Sequence, residues 1–167
     1  LASNHDILVS VDNTFMSSFG QRPLDLGADI VMHSTTKFLS GHSDVLSGAL
    51  MVNNKDAVEK ITLIQNTGGA LPSPFDAWLL LRSVKTLSVR VEKQFANAEI
   101  IAKWLDNNPK VVRTIYPGLE SHKQFDLAKR QHSSPDGNPV YGSMISFELD
   151  GSININNFAK NLSIITL

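Results

Sequence analysis

Cysteine is absent from this chain of 167 residues. That excludes a disulfide frame, a thiolate-ligated zinc and a thiol nucleophile, while leaving the compartment open. No apolar run reaches the roughly 18 residues a membrane-spanning helix needs. The opening segment, Leu1 to Asp6, lacks a basic stretch followed by an apolar core, so it is not expected to be a signal peptide. Neither charge sign dominates: Lys and Arg number 15, Asp and Glu 16, and the net charge is −1. A balance of that kind gives no general attraction to nucleic acid or to an anionic membrane surface. There is no internal repeat and no low-complexity tract.

What is present is enough apolar material for a core. Hydrophobic residues make up 42% of the chain and the mean hydropathy is −0.06, which excludes wholesale disorder. The length suits one domain, or one plus part of another. The chain opens just before a strand-like run and stops in the apolar stretch Ile164 to Leu167, so we expect a piece of a longer protein.

Ile7 to Val11 is short, apolar and rich in β-branched residues, and predicts a buried strand with Asp12 just past its end. Asp29 to His33 predicts a second strand. Sixteen residues separate Asp12 from Asp29, enough for a crossover between parallel strands and too many for a tight hairpin. A polar loop, Ser34 to Asp44, leads to a third strand over Leu46 to Asn53, where Gly48 permits close backbone approach. Lys55 to Gln65 predicts an amphipathic helix, stopped by Gly68-Gly69 and by Pro72 and Pro74. From Phe75 to Asn108 the pattern is helical, with a break at Lys85-Thr86 and a stop at Pro109. Within it Val91, Phe95, Ala98, Ala102 and Leu105 recur on one face, a packing stripe. Beyond lie a strand (Val111 to Tyr116), a turn at Pro117-Gly118, a helix (His122 to Gln131), a polar loop, a strand (Met144 to Leu149) and a helix (Ile155 to Leu162). We place a domain boundary inside the long helix, giving units 1–88 and 89–167.

In an open α/β sheet, ligands bind beyond the carboxyl ends of parallel strands. There the sequence sets Asp12 against Ser34, Thr35, Thr36 and Lys37. A carboxylate, hydroxyls and an amine suit a phosphorylated ligand that also carries an aldehyde and a basic nitrogen. Hydroxyls and loop amides hold phosphate, lysine condenses with the aldehyde, and the carboxylate keeps a proton on the ring nitrogen. Each residue also has a plain alternative: Asp12 as a turn former, the Ser-Thr-Thr loop as a loop, Lys37 as a solvated cation. His33 and His42 have no third ligand, so loop polarity outweighs a metal site; His5, His122 and His132 read as surface.

Val11-Asp12-Asn13-Thr14, Ser34-Thr35-Thr36-Lys37-Phe38 and Gly41-His42-Ser43-Asp44, with the 25-residue step from Asp12 to Lys37, resemble the signature of the Cys/Met-metabolism family of pyridoxal-phosphate enzymes. The flanks around Phe19 to Ser34, Leu71 to Lys93 and Ile115 to Gln131 agree. The likeness is weakest from Ser133 to Pro139. The resemblance implies the fold type I, aspartate-aminotransferase-like α/β architecture, with parts of a large cofactor domain and of a small C-terminal domain. It implies pyridoxal 5'-phosphate as cofactor and no metal. Lys37 would be the cofactor-bearing and catalytic lysine, a role that suits a buried, partly desolvated amine. Asp12 would face the pyridine nitrogen, and Ser34 and Thr36 the phosphate. Thr35 is assigned no role, and His42 and Asp44 fit the pattern without needing to touch the cofactor.

For function the resemblance implies a carbon–sulfur lyase of trans-sulfuration that takes a small sulfur-containing amino acid, cystathionine first. Replacement at Cγ, elimination at Cβ and cleavage of methionine are the family's alternatives. The full-length form would be a cytoplasmic homotetramer, with no nucleic-acid or membrane partner. The family's upstream phosphate loop, stacking aromatic, substrate-carboxylate clamp and neighbouring-subunit residues fall outside this stretch, so the isolated chain is expected to be inactive. Two rival readings are a truncated member serving as an interaction module, and an unrelated α/β domain whose Ser34–Thr36 loop binds plain phosphate.

Overall fold

The computed structural model describes residue 5 and residues 7–165. Residues 1–4, 6, 166 and 167 lie outside the described part, and with them much of what the sequence suggests about the opening segment and the apolar end. Strand β1 (Ser10–Asp12) pairs in parallel with β2 (Ile30–Ser34), with Ser10 opposite Ile30 and Asp12 opposite Met32. The crossover between them holds the single-turn helix α1 (Ser17–Gly20). Asn13 anchors that turn: its side-chain amide donates to the carbonyls of Ser17 and Gln21, at 3.0 and 2.8 Å.

The first strand is shifted toward the chain's C-terminal direction from its expected place. The carboxylate of Asp29 accepts the Val9 N–H at 2.8 Å, in place of a ladder partner. Ile7 and Leu8 precede the strand and are exposed rather than buried, and β1 is an edge strand among the described residues. Strand β3 (Gly48–Val52) lies antiparallel to β2 on its other side, giving the order β1-β2-β3. A Cβ at Gly48 would make only an ordinary contact, 3.5 Å from the His33 carbonyl, so close approach does not explain that glycine. Along β2, Val31 and His33 are buried while Ile30, Met32 and Ser34 are half-buried, the alternation a pleated strand requires.

Helix α2 (Lys55–Gly68) starts at Asn54, whose side-chain oxygen accepts from Ala57 N–H at 3.0 Å, and ends at Gly69 in the left-handed conformation. Helix α3 (Pro74–Val84) has Pro74 in its first turn and Ser73 as its cap, accepting from Asp76 N–H at 3.1 Å. The expected break falls at Lys85-Thr86, where the Thr86 N–H and hydroxyl both turn back onto the Ser83 carbonyl at 3.1 Å. Helix α4 (Leu87–Asp106) then runs for 20 residues, and every residue of the packing stripe is buried.

That helix serves two apolar clusters. Its N-terminal half (Leu87, Val91, Phe95) packs on Met16, Phe19, Phe38 and Val140. Its C-terminal half (Ala98, Ala102) packs on Tyr116, Leu119, Tyr141 and Ile145. Each large side chain buried this way contributes about 1.5–3 kcal/mol relative to exposure. Gly20 allows the close approach: a Cβ there would lie 2.7 Å from Met16 Cε and 2.9 Å from Phe95 Cε2. Beyond α4, β4 (Val111–Ile115) pairs antiparallel with β5 (Ser146–Leu149), and α5 (Phe125–Gln131) and α6 (Ile155–Lys160) complete the chain. The Tyr116 hydroxyl donates to the Gly142 carbonyl at 3.0 Å inside this part. Among the described residues no helix is long and apolar enough to cross a membrane.

Candidate active site

Asp12 is the last residue of β1, not the first after it, and Ser34 is the last residue of β2. In the parallel register Asp12 faces Met32, and Ser34 stands two residues further along, on the same side of the pleat. Thr14 ties the two ends together. The Ser34 N–H donates to the Thr14 hydroxyl oxygen at 2.8 Å, and the Thr14 N–H donates to Asp12 Oδ1 at 2.9 Å. The Thr14 hydroxyl and N–H hold the Asp12 carboxyl below its ordinary range, with a small further push from His33. Asp12 therefore stands ionised at neutral pH, exposed, with its second oxygen free of hydrogen bonds among the described residues.

His33 lies within β2, as the predicted strand over Asp29 to His33 requires, but it is buried, 1% exposed, with Nδ1 lacking a partner among the described residues, and is not the loop-polar residue weighed against a metal ligand. Burial lowers its basicity and the Asp12 charge opposes that shift. His132, read as surface, is likewise half-buried, with its basicity lowered by burial. No group of three metal-ligating side chains exists among the described residues.

Lys37 follows β2 in a closed turn. Its N–H donates to the Ser34 carbonyl at 3.1 Å, and the Gly41 N–H donates to the Lys37 carbonyl at 2.7 Å. Thr36 is occupied on both sides of its hydroxyl, donating to the Ser47 carbonyl at 3.2 Å and accepting the Ser47 N–H at 3.0 Å. His42 and Asp44 brace the same loop: His42 Nδ1 meets the Ser40 carbonyl at 2.6 Å, and Asp44 accepts from the Ser40 hydroxyl at 3.1 Å. The Lys37 side chain is exposed, not buried as expected, because no described element covers that side of the turn. It borders an open cleft of about 610 Å³ with Thr36, Phe15, Phe38, Asp44 and Gln94. Asp12 and Ser34 stand at the same strand edge but do not line that cleft. A larger groove of about 900 Å³ lies between β3 and α2, and no ionisable residue lines it.

Asp12, Ser34 and Lys37 thus lie at or just beyond the carboxyl ends of the parallel pair β1–β2, the edge where open α/β sheets bind ligands. The family described as "Cys/Met metabolism PLP-dependent enzyme" matches residues 1–167, and the chain belongs to it. It is 49% identical over 163 residues to cystathionine gamma-lyase of Mus musculus, covering 97% of this chain and 39% of the relative. To a probable cystathionine gamma-synthase of Herpetosiphon aurantiacus it is 50% identical over 151 residues, covering 90% and 46%. The crystal structure of cystathionine gamma-lyase from Lactobacillus plantarum complexed with L-serine superposes with a TM-score of 0.93 at 41% identity, over 99% of this chain and 42% of that one. The chain thus spans less than half the length of the relatives it matches, and its α/β architecture is that of fold type I pyridoxal-phosphate enzymes.

The donor set fits the family's cofactor. Asp12 has a carboxylate oxygen free that could face a protonated ring nitrogen, and the Ser34 hydroxyl has no partner among the described residues. Lys37 forms no ion pair there. Thr36 fits less directly, since its hydroxyl reaches a phosphate only by exchanging the Ser47 carbonyl for a phosphate oxygen. Sequence reasoning missed Thr14 as the link between the strand ends, although it lies in the quoted motif. It also missed Arg90, which no local pattern marks and which donates to the Phe38 and Leu39 carbonyls at 2.9 and 3.3 Å.

Proposed function

We propose that the full-length protein is a pyridoxal-phosphate-dependent carbon–sulfur lyase that cleaves cystathionine to cysteine, 2-oxobutanoate and ammonia. The observation that carries this reading is the edge itself: Asp12, with one oxygen free, ends β1, and Lys37 sits in the turn directly after its parallel neighbour β2. Bound there, the cofactor supplies an electron sink for charge that develops on the substrate's carbon atoms. Asp12 holds the proton on the ring nitrogen, where each pKa unit is worth about 1.4 kcal/mol. The Ser34 hydroxyl binds the phosphate. Lys37 would be the attachment point for the aldehyde carbon; once the substrate's own amine has displaced it, the freed lysine would take the Cα proton, hand it on to the cofactor, and then take a second from Cβ, while the sulfur at Cγ leaves with a proton and water finally releases the ammonia.

The similarity to cystathionine gamma-lyase of Mus musculus and of Lactobacillus plantarum supports cleavage. The match to a probable gamma-synthase supports γ-replacement as the second reading. The experiment treats full-length protein with pyridoxal phosphate, reduces it with borohydride and maps the adduct. A single pyridoxyl group on Lys37 is expected, whereas adducts scattered over surface lysines would refute the reading. Incubation with cystathionine, against a Lys37→Ala control, should yield cysteine and 2-oxobutanoate. Homocysteine with pyruvate would indicate cleavage at Cβ instead. The 167-residue chain alone is expected to turn over no faster than the control.

A further inference from the structure

We propose that Arg90 is a positioning residue for Lys37: from α4, its guanidinium holds the carbonyl end of the turn that carries the lysine. The proposal rests on the reading of Lys37 as the cofactor-bearing lysine. The segment from Thr35 to Ser40 is a run of hydrogen-bonded turns, closed by Lys37 N–H on the Ser34 carbonyl and Ser40 N–H on the Thr35 carbonyl. The Gly41 N–H donates to the Lys37 carbonyl, but no backbone N–H among the described residues reaches the next two carbonyls, Phe38 and Leu39. Such terminal carbonyls need donors from elsewhere.

Arg90 supplies them. Its Nη1 donates to Phe38 O at 2.9 Å and its Nη2 to Leu39 O at 3.3 Å. The same guanidinium donates from Nη2 to Ser83 O at 3.1 Å and from Nε to the Thr86 hydroxyl at 3.0 Å. It is half-buried, burial lowers its basicity, and no carboxylate pairs with it among the described residues. The cation is therefore spent on backbone carbonyls of the lysine turn and of the α3–α4 junction, not on an ion pair.

Gly41 is shaped to this contact. Its φ of +71° is in the left-handed region, and a Cβ there would collide with Arg90 Nη1. Lysine could not substitute for the arginine, because one ammonium cannot span acceptors that a planar fork reaches together. With Thr36 clasping Ser47 at one end of the turn and Arg90 at the other, the backbone from Ser34 to Leu39 is fixed at both sides of Lys37. A lysine on a fixed turn meets its aldehyde at a high effective concentration, and one on a loose turn does not.

The test uses full-length protein with the variants Arg90→Lys and Gly41→Ala, the first keeping the charge but not the fork and the second leaving the guanidinium itself in place. Three quantities are read: pyridoxal-phosphate dissociation constant, the rise in thermal midpoint that the cofactor confers on the apoprotein, and amide exchange over Phe38 to Gly41. Positioning predicts at least a tenfold weaker cofactor in both variants, a smaller cofactor-conferred rise, and faster exchange confined to that segment. A double variant should be no worse than the poorer single one. A purely structural role would lower apo and holo midpoints equally and leave the dissociation constant unchanged, and that result overturns the proposal. Borohydride mapping of the unaltered protein separates the two ideas: no adduct on Lys37 there defeats the reading of the lysine itself. If Arg90→Lys fails to fold, Gly41→Ala with wild-type cofactor affinity still overturns the proposal.

Discussion

Replacing Thr14 by valine should loosen the edge on which the cofactor reading depends. Valine keeps the shape of this side chain, which is 5% exposed, and removes only the hydroxyl. Two partners then lose it: the Ser34 N–H, bonded at 2.8 Å, and the Asp12 carboxylate, which the hydroxyl helps hold ionised. A partly buried N–H left without an acceptor costs about 1–3 kcal/mol. The Asp12 contribution adds a pH signature. Its folded-state pKa lies below the unfolded value, so its stabilisation is present above pH 3.8 and is lost as pH falls through the lower folded value. Urea unfolding of the full-length apoprotein should therefore show Thr14→Val less stable by about 1–3 kcal/mol at neutral pH. The gap should narrow below the carboxylate range, toward the share carried by Ser34 alone. Thr14→Ser, which keeps the oxygen, should recover most of the loss. A valine variant as stable as wild type, with the Asp12 carboxyl titrating at an unchanged pH by NMR, would refute the reasoning.

Asp12→Asn should weaken pyridoxal phosphate about 10- to 150-fold, the range for losing one charge-assisted hydrogen bond, as read by fluorescence titration; unchanged binding would remove Asp12 from the site. Phe95→Ala should cost about 3–5 kcal/mol, since its ring packs edge-on against Phe19 at 6.1 Å inside the first cluster of α4; denaturant unfolding checks it. Tyr116→Phe should cost about 1–3 kcal/mol, because the Gly142 carbonyl loses its donor. Burial lowers the basicity of His33 and His132, so protonation favours the unfolded chain. Stability should fall as pH drops below their ordinary 6.5 toward the lower folded values, and His33→Gln should flatten that slope in a pH series of melting curves.

The regular parts of this fold were written in its local pattern. The stripe from Val91 to Leu105 falls on one helical face, and all five of its residues are buried. The interval between Asp12 and Asp29 implied a parallel crossover, and the pairing is parallel. Local pattern failed where a distant group replaces a local partner. The Asp29 carboxylate takes the Val9 N–H and moves the start of β1, which apolar content cannot reveal. His33 was placed on the second strand, but its polarity hid that the pleat of β2 turns it inward on the same side as Val31. At the site, the approach of Asp12 and Ser34 was legible because both end strands of one parallel pair. The exposure of Lys37, the occupied hydroxyl of Thr36 and the reach of Arg90 are tertiary facts, set by groups as far as 52 residues away in the chain.

Helix α4 acts as a shared axle. Leu87, Val91 and Phe95 mesh with the first cluster, and Ala98 and Ala102 with the second. Each residue advances an α-helix by about 100°. One residue inserted between Phe95 and Ala98 would spin the downstream half by that angle relative to the upstream half. Either Tyr116 and Leu119 would lose their seat, or Phe38, the neighbour of Lys37, would lose its own. The phase of this single helix therefore couples the β4–β5 layer to the turn that presents the lysine.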